Sequence, residues 1–401
     1  MLGKLRKLAD PEIRAKNLRE LRWRARGLWW GLRRPEVPDP VFVIGCSRSG
    51  TTITYETLAS APQFLSFGWE IPQFWNSLHG PLTNGWQSEA AGVQDARPEH
   101  RAAALRYFYQ RLGAGWVLDK TCINVMRVPY LHRLFPRAKF VFIQRDGRDN
   151  ISSMMDGWRT GRSDGRFELS QFFGPFPEPV AINGGEFKEW SFFLAPGWQQ
   201  YNHSSLEEVC AFQWISANRM ALDARRDIPP SQWVHLRYED LFDRPVEMFE
   251  QAAAQLGVPF TAELQARCAN LQPTSVVKGK PKRQKWRDHN PQAIERVLPM
   301  IAPLMSEGGY DEFDGPGRGG QRGDTRLQRG VVRWPGGGER AGSDVPRLRS
   351  DRRRRRQHRR HGESIAAVRC GPSRRPEVQW RTVERAQCRH CRRGRGNGRV
   401  P

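Results

Sequence analysis

Short apolar runs rich in β-branched and aromatic residues alternate with amphipathic stretches along the first three-quarters of the chain. Runs of this kind are typical of strands buried on both faces of a parallel sheet. They predict strands at 41–44, 116–118, 139–144 and 233–236. Apolar residues at helical spacing predict helices at 53–60, 99–112, 125–135, 150–158, 206–226, 245–256, 261–270 and 291–305. Strands that alternate with helices indicate a three-layer α/β/α domain with a central parallel sheet.

The first predicted strand leads directly into a glycine loop. Residues 41–52 read VFVIGCSRSGTT, so Gly45 and Gly50 enclose four residues and a helix follows. A strand, a glycine loop and a helix start form a site for a phosphate-like anion, because the loop amides and the helix dipole both favour negative charge. The ATP-binding loop has a Lys after its second glycine. Here Thr51 holds that position and Arg48 is the cation, so we expect a P-loop-like fold whose oxyanion site lacks the usual lysine.

Cations follow three of the predicted strands. Arg48 lies in the glycine loop, and Lys120 and Arg145 come directly after the next two strands. The carboxyl ends of parallel strands form the ligand-binding edge of such a sheet, so these side chains are expected to share one site. A later basic loop at 272–288 adds further cations. The set predicts a ligand with at least two separated anionic groups. No His, Cys, Asp and Glu cluster has metal-ligand spacing, so we expect no metal.

Composition divides the chain into three segments: a basic amphipathic segment at 1–38, the α/β domain at 39–314 and an Arg/Gly-rich tail at 315–401. The tail after residue 315 carries 25 Arg and seven carboxylates, so it accounts for 18 of the formal net charge of +23. Its composition predicts disorder. Because the charge lies in the tail, it does not predict a specific nucleic-acid partner for the domain.

The N-terminal 34 residues combine leucines and tryptophans with many Arg and Lys. Such a segment either packs on the domain or makes a peripheral contact with an anionic membrane. Seven scattered cysteines, and the lack of a long apolar run or an apolar signal segment, favour a cytoplasmic protein. Residues 160–205 are rich in Gly, Pro and aromatic residues, which predicts a lid or the wall of an acceptor pocket.

Three motifs make the chain resemble the sulfotransferases that use 3′-phosphoadenosine 5′-phosphosulfate (PAPS), over about residues 40–312. They are GCSRSGTT, VFIQRDGRDNISSMM and RYEDL. The resemblance implies that Arg48, Ser49, Gly50, Thr51 and Thr52 hold the 5′-phosphosulfate. It also implies that the following residues bind the rest of the nucleotide: Arg145 and Ser153 at the 3′-phosphate, Tyr238 near the adenine, and Lys285 and Trp286 in a late 3′-phosphate loop.

The order of the motifs looks closest to the branch that contains carbohydrate and tyrosylprotein sulfotransferases, which uses a Glu as base. Glu70 in SFGWEIP and Lys120 in DKT match that pattern. The resemblance implies a catalytic set of Glu70, Lys120 and Arg48. It implies transfer of a sulfonate group from PAPS to a hydroxyl acceptor. We also expect the apolar neighbours of Glu70 to raise its pKa by desolvation.

Two other functions are compatible with the sequence. The first is a P-loop NTPase or kinase, and the second is a nucleic-acid- or membrane-binding protein that works through its basic ends. The acceptor of a sulfotransferase reaction is left open among a lipid, a glycolipid, a carbohydrate and a phenol.

Overall fold

The computed structural model describes residues 11–164, 168–271 and 283–310. Five parallel strands form its central sheet, in the order β2-β3-β1-β4-β5. Their bounds are β1 Val41–Gly45, β2 Phe64–Ser66, β3 Trp116–Asp119, β4 Lys139–Gln144 and β5 Trp233–Arg237. The predicted tail at 315–401 lies outside the described residues, and the three-segment division of the chain stays a prediction.

Helices connect the strands and cover both faces of the sheet. In chain order they are α1 Pro11–Arg33, α2 Thr51–Leu58, α3 Pro72–Leu78, α4 Pro98–Leu112, α5 Val128–Leu134, α6 Gly147–Asp164, α7 Ser170–Phe173, α8 Ile182–Gly185, α9 Leu206–Arg225, α10 Asp240–Asp243, α11 Pro245–Leu256, α12 Ala262–Ala269, α13 Trp286–His289 and α14 Pro291–Glu307. Short 3₁₀ turns lie at Val93–Asp95, Cys122–Met126, Trp198–Tyr201 and Pro230–Gln232.

Strand β1 shows why the domain has three layers. Its side chains alternate, so Phe42 and Ile44 belong to one apolar core and Val41 and Val43 to a second core on the other face. All four are buried. A strand covered on both faces needs apolar residues at every position, and this is the pattern that the sequence shows. The predicted α/β/α architecture with a central parallel sheet is confirmed.

Most predicted elements agree with the structure to within a few residues, but the helix predicted at 150–158 extends from Gly147 to Asp164, and the short helices α3, α7, α8, α10 and α13 were not predicted. Two further differences have a physical explanation. Strand β2 was not predicted because it is three residues long and lies at the sheet edge. The helix predicted at 125–135 is divided into a 3₁₀ turn and α5. Pro129 explains the division, because proline lacks the amide hydrogen that would continue a helix from the preceding turn.

The aromatic segment predicted as a lid or pocket wall is instead part of the main core. The rings of Trp190, Phe193 and Trp198 are fully buried there. The Trp190 indole donates a hydrogen bond to Asn202 Oδ1 at 2.8 Å, and the Trp198 indole donates one to the backbone oxygen of Trp86 at 3.1 Å. The prediction was wrong for these rings, because they are fully buried in the core, where the ring centres of Trp190 and Trp198 lie 5.8 Å apart.

Helix α1 packs on α4 through one of its faces. The rings of Trp30 and Tyr109 lie 5.6 Å apart, and the Arg111 guanidinium lies 4.0 Å from the ring centre of Trp23. Arg26 Nη1 donates to the backbone oxygen of Arg111 at 3.2 Å. None of the described helices has both the length and the apolar composition that a membrane span requires.

Candidate active site

The carboxyl ends of three neighbouring strands bring the predicted cations together. Strands β3, β1 and β4 are adjacent in the sheet, and they end beside Lys120, Arg48 and Arg145. Arg145 Nη1 donates to the backbone oxygen of Arg48 at 2.9 Å, and Arg48 Nε donates to Ser153 Oγ at 3.4 Å. The structure therefore places the glycine loop directly against the Arg145 and Ser153 motif.

The glycine loop is shaped by left-handed backbone conformations. Gly50 has a φ of 100°, and a Cβ atom added there would overlap the ring of Tyr238. Arg48 also adopts a positive φ, of 68°. Helix α2 begins at Thr51, and no described side chain caps its first turn. The amides of that turn and the helix dipole therefore favour an anion in the loop.

The guanidinium groups of Arg48 and Arg145 lie close together at this loop. Burial lowers the pKa of Arg48, and the nearby charge of Arg145 lowers it further. Arg145 also lies over the Tyr238 ring, 4.4 Å from its centre. Within the described part of the chain, the buried Ser49 Oγ and Arg145 Nε have no hydrogen-bond partner. Buried polar atoms without partners are costly, so these residues fit an anionic group such as a phosphosulfate.

Glu70 and Lys120 form an ion pair at the edge of the same loop. Lys120 Nζ lies 2.7 Å from Glu70 Oε1 and donates to Thr52 Oγ1 at 3.2 Å. The backbone amide of Cys122 donates to Glu70 Oε2 at 3.0 Å, and the thiol donates to Oε1 at 3.3 Å. The carboxylate is thus held in one position beside the helix that starts at Thr51.

The pKa of Glu70 is lowered, whereas the sequence predicted a raised one. Burial raises it, as expected from the apolar neighbours. The charge of Lys120 and the hydrogen bonds from Lys120 and Cys122 together outweigh burial. The same pairing raises the pKa of Lys120 against the opposing effect of its own burial. Glu70 is therefore ionised at neutral pH, in the form that accepts a proton.

The buried carboxylate of Asp119 positions the Glu70–Lys120 ion pair through a hydrogen-bond network. Asp119 accepts hydrogen bonds from the Trp75 indole at 2.7 Å, from the Thr121 hydroxyl at 2.8 Å and from the Asn124 amide at 3.1 Å. Thr121 Oγ1 in turn accepts from the backbone amide of Ile71 at 3.2 Å. The network ties the segment that carries Glu70 to the segment that carries Lys120. Burial raises the pKa of Asp119 to about 6.

Asp119→Ala is expected to destabilise the domain by about 3 kcal/mol, because it leaves several buried donors without an acceptor. The free energy of unfolding from urea titration measures this loss. Asp240→Ala is the matched control, since Asp240 is a half-buried carboxylate on α10 outside this network. An equal loss in both variants would contradict a special role for Asp119.

The late loop is attached to α6 by another carboxylate. Asp149 accepts from the backbone amides of Gln284 at 2.8 Å and Trp286 at 3.0 Å. This places Lys285 and the buried Trp286 beside the helix that begins after Arg145. The earlier part of the predicted basic loop, 272–282, lies outside the described residues.

Sequence reasoning missed three residues of the site. Cys122 and Asp149 each hold a predicted site residue through contacts described above. Asn150 Nδ2 donates to the backbone oxygen of Ser47 at 2.8 Å and so joins α6 to the glycine loop. The positions of Asp149 and Asn150 within RDGRDN offered a signal. Cys122 offered only its place two residues after Lys120.

Comparison with known proteins identifies related chains. A family model described as "Sulfotransferase family" matches residues 40–174 and 179–262, more than half of the chain. A protein-tyrosine sulfotransferase of Drosophila melanogaster is 24% identical over 302 residues. That alignment covers 69% of this chain and 52% of the relative, so the chain spans about half the length of that protein.

Solved structures with a related fold are more distant. The sulfotransferase STF9 of Mycobacterium avium is 14% identical with a TM-score of 0.44, and the match covers 73% of this chain and 83% of the other. A sulfotransferase of Alicyclobacillus acidocaldarius is 15% identical with a TM-score of 0.40, covering 69% of this chain and 98% of the other. Both TM-scores are under 0.5, and family membership rests on the family model.

Proposed function

This chain belongs to the sulfotransferase family, and from that premise we propose that it transfers the sulfonate group of PAPS to an acceptor hydroxyl. The observation that supports the proposal most directly is the junction of two anion-binding elements. The glycine loop and the Arg145 motif are joined by the contact of Arg48 with Ser153 and by that of Arg145 with the loop backbone. A donor with a 5′-phosphosulfate and a separate 3′-phosphate presents one anionic group to each element.

We assign the donor-binding roles as follows. The glycine loop and the first turn of α2 hold the 5′-phosphosulfate through Arg48, Ser49, Gly50, Thr51 and Thr52. The 3′-phosphate is bound by Arg145 and Ser153 with help from Lys285 and Trp286, and the nucleotide lies near Tyr238. The unpartnered polar atoms of Ser49 and Arg145 support these roles. So does Asp149, which holds the late loop next to α6.

PAPS supplies an activated sulfonate when it is bound. In the transfer, the acceptor oxygen bonds to sulfur, the bond from sulfur to the 5′-phosphate oxygen breaks, and its electron pair leaves with that phosphate. We propose that the Glu70 carboxylate accepts the hydroxyl proton. Lys120 and Arg48 stabilise the charge that develops on the leaving phosphate and the sulfonate oxygens, which is the role that fixed cations play in phosphoryl transfer. Metal ions are not required in this scheme.

The acceptor is a hydroxyl compound of the lipid, glycolipid, carbohydrate or phenol class. We also propose that the protein works in the cytoplasm, with a peripheral membrane contact through residues 1–34. The four described cysteines, Cys46, Cys122, Cys210 and Cys268, are unpaired, which supports a reducing compartment.

A thermal-shift titration tests the donor. We expect 3′-phosphoadenosine 5′-phosphate (PAP) to raise the Tm of the full-length protein without Mg²⁺, and to do so more than ADP at equal concentration. Mg²⁺ is expected to change neither result. An equal response to ADP, or a response that needs Mg²⁺ and ATP, would favour an NTPase or kinase and would remove the roles given to Glu70 and Lys120.

The pKa of Glu70 gives a pH-dependence prediction. In the wild type, protonation of Glu70 is not expected to lower kcat/KM as pH falls from 7 to 5.5, because Lys120 keeps Glu70 ionised. Any fall in that interval would report Asp119, whose pKa is about 6. In Lys120→Met only burial and the Cys122 hydrogen bonds remain, so the pKa of Glu70 rises and the residual kcat/KM falls as pH is lowered. A fall that persists in Glu70→Gln/Lys120→Met would instead report another group, such as Asp119, and would contradict the prediction.

A further inference from the structure

Helix α1 has a second face that the domain leaves uncovered. While Trp23, Gly27 and Trp30 face α4, an apolar stripe lies in solvent. Its members recur every three or four residues: Leu18, Leu21, Ala25, Leu28 and Leu32. The exposed fractions of the four leucines are 50, 63, 73 and 79%. An exposed apolar stripe with this spacing is one face of a helix, and such a face is typical of a surface that binds another molecule.

A cavity of about 460 Å³ lies between α1 and the chain that follows β2. Its size is within the range of small-molecule sites. Phe67 and Trp69 provide an apolar wall. Four cations also line it: Arg19, Arg22, Arg26 and Arg111. Among the described residues that line the cavity there is no carboxylate. The cavity therefore suits a ligand with an apolar part and a negatively charged part.

The cavity lies beside the segment that carries the proposed catalytic base, although Glu70 itself is not one of its lining residues. Trp69 lines it and directly precedes Glu70, so the two Cα atoms are about 3.8 Å apart. Trp69 is also 38% exposed, which leaves its ring accessible to a ligand. A molecule in the cavity is within a few ångströms of the segment that carries the base.

The cavity and the apolar stripe share a residue. Leu18 lines the cavity and begins the stripe, so the cavity opens at the uncovered face of α1. The α1 sequence holds seven Lys and Arg against two Glu. Pairing with a second copy would bring two such positive helices together. An anionic lipid surface instead offers apolar contact to the stripe and negative charge to the arginines.

We infer that α1 lies on an anionic lipid surface and that the cavity beneath it receives the headgroup of an anionic lipid, whose hydroxyl is the acceptor. The acceptor part of this inference rests on the proposed function, whereas the lipid contact does not. The charge of the headgroup contacts Arg19, Arg22 and Arg26, and its hydroxyl points to Glu70.

Hydrogen exchange of the full-length protein tests the lipid contact locally. Vesicles of phosphatidylcholine with phosphatidylglycerol are expected to slow amide exchange in α1 by about tenfold, whereas pure phosphatidylcholine vesicles do not. Leu21→Gln/Leu28→Gln should abolish this slowing, although the basic tail still attracts the vesicles. Leu82→Gln/Val93→Gln is the matched control, with two exposed apolar residues elsewhere, and it should keep the protection. Unchanged exchange in α1 would overturn the lipid contact.

Sulfonate transfer tests the acceptor. With labelled PAPS we expect a sulfated product from phosphatidylglycerol, which has free hydroxyls, and none from phosphatidic acid, which is anionic but lacks an alcohol. Arg22→Gln should raise KM for the lipid several-fold with little change in kcat, and Arg133→Gln, an exposed cation on α5, should change neither.

The outcomes separate the two proposals. Stabilisation by PAP together with transfer to an acidic tyrosine peptide, and none to the lipid, would overturn the lipid acceptor and leave the proposed function intact. No response to PAP would count against the proposed function, while slower exchange in α1 would still support the lipid contact.

Discussion

Glu70→Gln is expected to lower kcat by about 10²–10⁴-fold, the usual contribution of a positioned general base. The amide cannot accept the acceptor's proton. Its single oxygen keeps the hydrogen bond from Lys120 or the one from the Cys122 amide but not both, because the two donors bind different oxygens of the carboxylate. The substitution keeps the size of the side chain, so the fold and the donor site should remain intact. Initial rates with saturating PAPS and a phenolic surrogate acceptor measure the loss without assuming the natural acceptor.

Donor binding provides the control for this variant. The Tm increase caused by PAP should match that of the wild type, because Glu70 is not assigned to the nucleotide. Glu239→Gln changes another carboxylate near the sheet edge, one that accepts from the Asp146 amide at 3.0 Å, and should keep most of the turnover. Wild-type turnover in Glu70→Gln would show that the carboxylate is not the base.

The sequence predicted well the elements that are marked by neighbouring residues, such as an apolar run or a proline and a glycine at the two ends of a helix. Strand β4 occupies the predicted residues, 139–144, because every position after Lys139 is buried and the residues between the two ends are all apolar. Helix α11 also has the predicted bounds, with a proline at its start and a glycine after its end. Strand β2 carries too few residues for any periodicity, and its pairing with β3 is a long-range property.

The sequence predicted which residues lie together at the sheet edge, but it did not predict the ionisation of Glu70. The cations could be placed at one edge because parallel strands share a direction. The direction in which the pKa of Glu70 is shifted could not be predicted. Its apolar neighbours in sequence indicate desolvation, which raises the pKa, while its partner Lys120 is 50 residues away. Asp149 and the late loop are separated by still more chain. Local composition cannot reveal contacts of that range.

Arg145→Ala is expected to weaken PAP binding by about 30- to 150-fold, because a charge-assisted hydrogen-bonded contact contributes about 2–3 kcal/mol. ADP lacks a 3′-phosphate, so its affinity should fall much less. Arg145→Lys keeps the positive charge but cannot form a bidentate hydrogen bond, so its affinity for PAP is expected to lie between those of the wild type and Arg145→Ala. Isothermal titration with PAP and ADP gives the ratio of the two affinities, which is the quantity that distinguishes a 3′-phosphate contact.

The ratio matters because Arg145 has a second role. It donates to the Arg48 backbone and lies over Tyr238, so its removal also loosens the glycine loop. Loosening would weaken PAP and ADP alike, whereas loss of a 3′-phosphate contact weakens PAP selectively. Arg148→Ala is the matched control: Arg148 is equally buried but pairs with Asp146 at 2.7 Å, and its loss should leave the PAP-to-ADP ratio unchanged. A parallel fall for both nucleotides in Arg145→Ala would assign Arg145 to the loop and leave the 3′-phosphate to Ser153 and Lys285.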